Sequence, residues 1–331
     1  MKTMTVGIAL VMLVWTNLPE TAAQTNPAPP GFHHLHLNAV DPDAAIAFYM
    51  QQFPSTSRTS WGGVPALASP NNVLVLFTKV AAAPPADPQA TPYWHFGWHV
   101  TDVRRNLDTY KGRTNVRLAP LYTTQDEGSV FVSSDTWPGT GGVLGLTRAQ
   151  IADAKAKGVK PLGGAGFAYM RGPDNALIEY QGNFPAERFN HVHMNQEDPF
   201  CAQAWYRRHL NANLPQNAAP RNEADCRVPR GADRTWPALE REGAFRTPTA
   251  GVVFGDVAVN WYMRQTEAPL VPTRGHLMDH VGVSVADLDA WVAKLRGEGV
   301  TFLEQPYRLG GTRAVMIEGP SREAIELVEA K

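Results

Sequence analysis

The sequence predicts an α+β protein assembled from four copies of one strand–helix–strands unit, and three observations carry that reading. FHHLHLNAVDPDAAIAFY from Phe32 and FNHVHMNQEDPFCAQAWY from Phe189 share F-x-H-x-H-x-N, then D-P, then an aromatic pair. HFGWHVTDVRRNLDTY from His95 and HVGVSVADLDAWVAKL from His280 repeat the same step more loosely. In all four places a histidine stands seven residues before an aspartate: His34/Asp41, His95/Asp102, His191/Asp198 and His280/Asp287. A fixed spacing that recurs four times is an internal repeat, with the first unit resembling the third and the second the fourth.

Within each unit the opening is a strand, because stretches such as HLHLNAV alternate apolar and polar residues. A helix follows. Asp41 and Asp198 are suited to N-caps, with Pro42 and Pro199 at the first helical position, and DAAIAFYMQQF carries an apolar stripe at helical spacing. Asp102 and Asp287 are read as caps in the same way. The β-rich segments NVLVLFTK, SVFVSS, AGVVFGDVAVNWYM and TRAVMIEG then supply about three strands per unit, which makes the unit βαβββ. Ala119 to Gly166, with a helical pattern in TRAQIADAKAKGV, and Asn211 to Ala244 are extra material between strands.

Ahead of the first unit, Lys2, the apolar run Val6 to Trp15 and the small residues Thr21-Ala22-Ala23 predict an export signal over 1–23, cleaved before Gln24. The run is about half of the ~20 residues a membrane span requires. The expected product is periplasmic or secreted, with no membrane association after cleavage. Residues 24–31 are a proline-rich linker. A further break at QGNFPAER divides the chain into expected domains at 32–182 and 189–331, each large enough to bury a core. In an oxidising compartment Cys201 and Cys226 are expected to bridge, pinning a polar insertion onto a helix. A net charge of −1 leaves no basic footprint, so nucleic acid is not an expected partner and a small-molecule substrate is.

RGPDNALIEY and EGPSREAIEL each place a glutamate six residues after a proline: Glu179 and Glu326. Taken in chain order, each half offers two strand histidines and one carboxylate: His34, His95 and Glu179, then His191, His280 and Glu326. Two imidazoles and a carboxylate with other positions open suit a divalent metal that also receives substrate or oxygen. Residues two apart on a strand share a face, so His36, His193 and His99 are expected beside these ligands as proton carriers or ligand-orienting groups. Trp94, Trp98 and Trp261 are read as core, with an aromatic pocket as the alternative.

The opening phrase, the D-P helix ending in Phe48-Tyr49 and G-P-D-N-A-L-I-E resemble the vicinal oxygen chelate superfamily, which includes glyoxalase, fosfomycin-resistance enzymes, bleomycin-binding proteins and extradiol dioxygenases. The resemblance covers nearly the whole chain after the signal and implies two half-barrel domains, each around a metal. It implies a divalent-metal-dependent enzyme whose small substrate chelates the metal through adjacent oxygens. NVLVLFTK lacks the carboxylate that glyoxalase-type sites commonly add. Tyr169, ten residues before Glu179, instead resembles the extradiol pattern Y-x-x-D-P-x-G-x-x-x-E, although KPLGGAGFAY lacks the histidine expected upstream. In the second half Ser284 replaces His99 and Met316 replaces Tyr169. Iron(II) with dioxygenase chemistry is the favoured expectation, with His36 or Tyr169 managing protons. A manganese- or zinc-dependent lyase, isomerase or transferase is the first alternative, and a non-catalytic small-molecule binding protein the second. Exchange of units between the subunits of a homodimer is a further expectation the superfamily allows.

Overall fold

The computed structural model describes residues 27–85, 91–119, 156–157, 167–182, 184–227, 246–264 and 268–330. The expected signal segment 1–23, the helical pattern near Ala152, most of the insertion 119–166 and the second half of the insertion 211–244 lie outside these residues. Among the described residues no helix is long and apolar enough to cross a membrane.

The four units are present. The first holds β1 (Gly31–Ala39), α1 (Pro42–Gln52), β2 (Ser57–Trp61), β3 (Val64–Ala68) and β4 (Leu74–Lys79). The second holds β5 (Tyr93–His99), α2 (Val103–Lys111), β6 (Arg117–Ala119), β7 (Phe167–Arg171) and β8 (Leu177–Gln181). The third holds β9 (Arg188–Gln196), α3 (Pro199–Leu210), β10 (Arg246–Phe254) and β11 (Val257–Met263). The fourth holds β12 (Met278–Val285), α4 (Leu288–Gly297), β13 (Tyr307–Leu309), β14 (Thr312–Glu318) and β15 (Ala324–Glu329). Asp41, Asp102 and Asp287 accept from the amides of Ala44, Arg105 and Ala290, so each satisfies an orphan donor of its helix. Asp198 occupies the same position on α3 without that bond. On α4 the buried residues Leu288, Trp291, Val292 and Leu295 follow the spacing of one helical face.

The strands form two curled mixed sheets. The first has the order β13-β14-β15-β12-β1-β4-β3-β2, and the second β10-β11-β9-β5-β8-β7-β6. The first unit therefore closes on the fourth, and the second on the third. This corrects the expected division into 32–182 and 189–331: neither half builds a half-barrel from its own two units.

Connection geometry explains the exchange. β8 runs parallel to β5 with Gln181 beside His99, and β9 runs antiparallel to β5 with Arg188 beside the same His99. The end of one unit and the start of the next thus flank a single strand, a span of about 10 Å. The chain has only positions 182–187 between the two strands, which keeps the third unit beside the second. The longer links 80–92 and 264–277 carry the chain between sheets at the other two junctions.

The sheets share one core. Phe32 and Phe189, which open the two copies of the repeated phrase, stack on each other with centroids 5.7 Å apart. Phe53 lies flat on Trp98 at 4.3 Å, a contact worth about 1 kcal/mol beyond its buried area. Tyr93 of β5 reaches into the other sheet, donating to the Ala324 carbonyl and accepting from the Val281 amide. The buried Glu323 receives Gln196 Nε2 and Tyr206 OH from the third unit, both at 2.9 Å. The first and second units remain packed helix against turn, α1 against Pro173–Asn175, as do the third and fourth through Tyr206 and Glu323, while the sheets within each of these two pairs belong to different half-barrels.

Candidate metal centres

In the second sheet, one row of paired residues crosses four strands: Tyr169 of β7, Glu179 of β8, Gly97 of β5 and His191 of β9. His95 and His193 form the neighbouring pair on β5 and β9. Side chains of one row share a face, so the missing side chain of Gly97 leaves a gap between Glu179 and His191. The ring of His191 fills it, and a Cβ on Gly97 would stand 2.6 Å from His191 Nε2. Across the gap His191 Nε2 comes within 3.6 Å of Glu179 Oε2. His95 Nε2 lies 2.9 Å from the same oxygen, and His193 Nδ1 4.0 Å.

The first sheet repeats the device. Its row is Met316 of β14, Glu326 of β15, Gly282 of β12 and His34 of β1, with His36 and His280 as the neighbouring pair. A Cβ on Gly282 would stand 2.7 Å from His34 Nε2. His34 Nε2 lies 3.3 Å from Glu326 Oε2, and His280 Nε2 3.9 Å. The structure therefore regroups the expected ligands. His95, Glu179 and His191 meet in one centre, and His34, His280 and Glu326 in the other. His193, expected with the second-half ligands, stands with His95 and Glu179, and His36 stands with His34 and His280.

Both donor sets are buried, with His34 and His95 at 0%, His191 and Glu326 at 2% and Glu179 at 3% exposure. Burial lowers His34, His95, His191 and His193 well below the usual imidazole value, which keeps them neutral and able to act as ligands. It raises Glu179 and Glu326, against the opposing pull of His191 and Tyr169 in one centre and of His280, Tyr307 and Arg274 in the other. His34 Nε2, His191 Nε2, His193 Nδ1 and Glu326 Oε2 are buried with no hydrogen-bond partner. Leaving such atoms unsatisfied is costly, whereas a divalent cation would satisfy several of them at once. In the second sheet one donor atom each from His95, Glu179, His191 and His193 lies within 4.8 Å of the others; in the first sheet the same holds for His34, His36 and His280. The residues present fit a divalent metal in each centre.

Outer partners fix the rings. His34 Nδ1 is 2.8 Å from His33 Nδ1, His191 Nδ1 is 2.9 Å from Asn190 Oδ1, and His280 Nδ1 is 2.6 Å from Asp279 Oδ1. Burial alone would raise the Asp279 carboxyl, but the bond and charge of His280, the Gly275 amide and Arg274 outweigh it and hold the group at about 2. His36 Nε2 pairs with Thr78 Oγ1 and His193 Nε2 with Asn260 Nδ2.

The other predicted site residues divide. Tyr169 donates to Glu179 Oε2 at 2.6 Å and sets its ring against His95. Burial, then the Glu179 charge, raises its hydroxyl well above the ordinary phenol value, so it holds its proton. His99 shares the face of His95 but lies outside the cluster, stacked on Phe184 with centroids 3.6 Å apart. Four residues of strand carry it about 13 Å along the sheet, a distance that alternation alone ignores. Trp98 and Trp261 are fully buried core, whereas Trp94 meets Tyr262 edge-on at 5.2 Å and Tyr262 faces His193 at 5.4 Å. Gly97, Gly282 and Tyr307 are site residues that sequence reasoning missed. Tyr307 donates to Glu326 Oε1 from β13, supplying the hydroxyl that Met316 lacks. The glycines had a visible signal, the H-x-G of HFG and HVG.

Residues 188–327 match a family model described as the Glyoxalase/Bleomycin resistance protein/Dioxygenase superfamily. These residues are similar to that superfamily. They span the third and fourth units, hence one part of each sheet. Over the greater part of the chain glyoxalase I from Zea mays is similar in fold, at 14% identity, covering 91% of this chain and 92% of that one, with a TM-score of 0.56. A "putative dioxygenase" from Bacillus subtilis subsp. subtilis str. 168 is similar at 10% identity, covering 92% and 86%, with a TM-score of 0.51. At these identities the likeness is one of fold. Comparison with curated proteins finds no match.

Proposed function

We propose that the chain is a divalent-metal-dependent enzyme acting on a small substrate with adjacent oxygens, and that catalysis occurs at the centre formed by His95, Glu179 and His191. The observation that carries this reading is the convergence of two imidazole nitrogens and one carboxylate oxygen over Gly97, in a buried site. A metal there would polarise the substrate oxygens and, as iron(II), supply dioxygenase chemistry. Tyr169 holds a proton against Glu179 and can lend its hydroxyl to a developing negative charge. Trp94 and Tyr262 form an aromatic flank beside His193, suited to a planar substrate.

His193 decides between two chemistries. A neutral imidazole that accepts from Asn260 at Nε2 carries its proton on Nδ1, facing Glu179, and serves as a proton carrier beside a three-ligand metal. With the Asn260 amide reversed, Nδ1 is free to bind. The centre then has four protein ligands, which favours a redox-neutral manganese or zinc lyase, isomerase or transferase.

The test is metal analysis of protein purified without air, followed by oxygen uptake with catechol-like compounds, for the wild type and His193→Gln. Iron retained in the variant, with oxygen uptake in the wild type and a loss of about 100-fold in the variant, supports the dioxygenase reading. Manganese or zinc lost with His193, and no oxygen uptake in either protein, supports the redox-neutral one. A chain that takes up no metal on reconstitution refutes both and leaves small-molecule binding.

A further inference from the structure

The residue immediately before a candidate ligand histidine is its outer partner in three of four cases, and those three partners differ in charge. His280 is backed by the carboxylate of Asp279, His191 by the neutral amide of Asn190 and His34 by the imidazole of His33. The fourth, His95, follows Trp94, and its Nδ1 has no hydrogen-bond partner. In each backed ring Nδ1 is tied down and Nε2 is turned toward the glutamate of its centre. Asp279 is itself anchored: Arg274 Nε stands 3.2 Å from Oδ1, while the Gly275 amide at 2.7 Å and Asn38 Nδ2 at 3.3 Å reach Oδ2. It is 7% exposed, so its charge acts in a poorly screened setting.

An anionic acceptor behind an imidazole makes the other nitrogen a stronger donor to a cation, and fixes the ring so that less ordering remains to be done on binding. Changes at such outer partners typically alter metal affinity 10- to 100-fold. We propose that Asp279 is a positioning residue that makes the His34/His280/Glu326 centre the tighter metal site of the two, and that the neutral Asn190 leaves the His95/His191/Glu179 centre the weaker one. The inference rests on the reading of both clusters as metal centres. It assigns them unequal affinities from their outer partners, although their inner donors correspond one to one. The weaker centre is then the one whose occupancy follows metal supply.

Cobalt(II) titration of the full chain, read by its visible absorption and by competition with a chelator, tests this. Glu179→Ala isolates the first-sheet centre and Glu326→Ala the second-sheet centre. With each centre isolated, the first should bind cobalt at least 10-fold more tightly. Asp279→Asn in the first background should weaken binding at least 10-fold, and Asn190→Asp in the second should tighten it by a similar factor. Because Asp279 also holds the 274–276 turn, its variant alone would not separate positioning from local structure, but the gain at Asn190 does. Equal affinities of the two isolated centres, or an Asn190→Asp variant that binds no more tightly, overturn the inference. Cobalt binding untouched by both glutamate substitutions overturns the reading of metal centres itself and this inference with it.

Discussion

Gly97 stands between Glu179 and His191 in a single row across β8, β5 and β9, and the space its absent side chain leaves is occupied by the His191 ring. A methyl group there would sit 2.6 Å from His191 Nε2 and 2.6 Å from the Glu179 carbonyl oxygen. The backbone cannot yield, so the imidazole must. Gly97→Ala is therefore expected to expel His191 from the cluster, cost about 1–3 kcal/mol through overpacking and abolish metal uptake at this centre alone. Gly282→Ala should do the same to His34 and the other centre. Metal content and thermal unfolding of both variants check this. Wild-type metal content in either would show that the glycine is not what makes room.

The exchanged sheets predict which residues lose metal together. His95→Ala and Glu179→Ala should each remove one metal equivalent, and the double variant still only one, because both serve one centre. His34→Ala combined with Glu179→Ala should remove two. Under the division by chain order the outcome would be reversed for His34 and Glu179, which would then share a metal. Metal analysis of these four variants against the wild type decides between the two pairings, and non-additivity is the signature of a shared site.

Much of this was legible in the chain and some was not, for identifiable reasons. The units, the helix-cap positions and the six candidate ligand positions were readable because each unit keeps one register from histidine to capping aspartate, and local register is a sequence property. Which unit joins which sheet was not readable. The shared phrase at Phe32 and Phe189 is equally compatible with either partner, and the choice rests on Gln181 and Arg188 lying on either side of His99. Tyr307 was invisible because it comes from a neighbouring strand, two residues along the pairing from Met316, so no fixed spacing to Glu326 announces it. His99 illustrates the converse. Alternation placed it on the correct face, but only the distance along β5 shows it to be remote from His95.

Cys201 in the first turn of α3 is bridged to Cys226, closing a segment with a sequence separation of 25. A loop of that size removes unfolded-chain entropy worth about 3 kcal/mol. Reduction, or Cys201→Ser with Cys226→Ser, is expected to lower unfolding free energy by about that amount. Metal affinity should remain unchanged, because neither cysteine touches a ligand. Denaturant unfolding with and without reductant measures it. A change below about 0.5 kcal/mol would mean that the reduced chain retains the loop's structure.

The buried histidines make the metal-free chain acid-sensitive in a defined window. Burial lowers His33 to about 4 and His36 to about 3, the latter helped by His280, and holds His34, His95, His191 and His193 well below 6.5. His99 is lowered to about 4 by burial and by Arg188, against the opposing influence of Asp256 and Gln181. A base whose folded pKa is depressed is neutral in the native state while the unfolded chain still takes a proton near 6.5. Between those values the unfolded state binds more protons, so stability is full above about pH 6.5 and is lost as pH falls toward 4. The thermal midpoint of metal-free protein should decline through that window. His99→Gln, which lies outside both clusters, should make the decline shallower without altering metal content. Loading with metal should flatten the upper part of the curve, because a bound cation holds its imidazoles deprotonated until protons compete it away. A midpoint that stays level from pH 7 to 4 in the metal-free chain would show that the rings gain enough water or counter-charge to titrate in place.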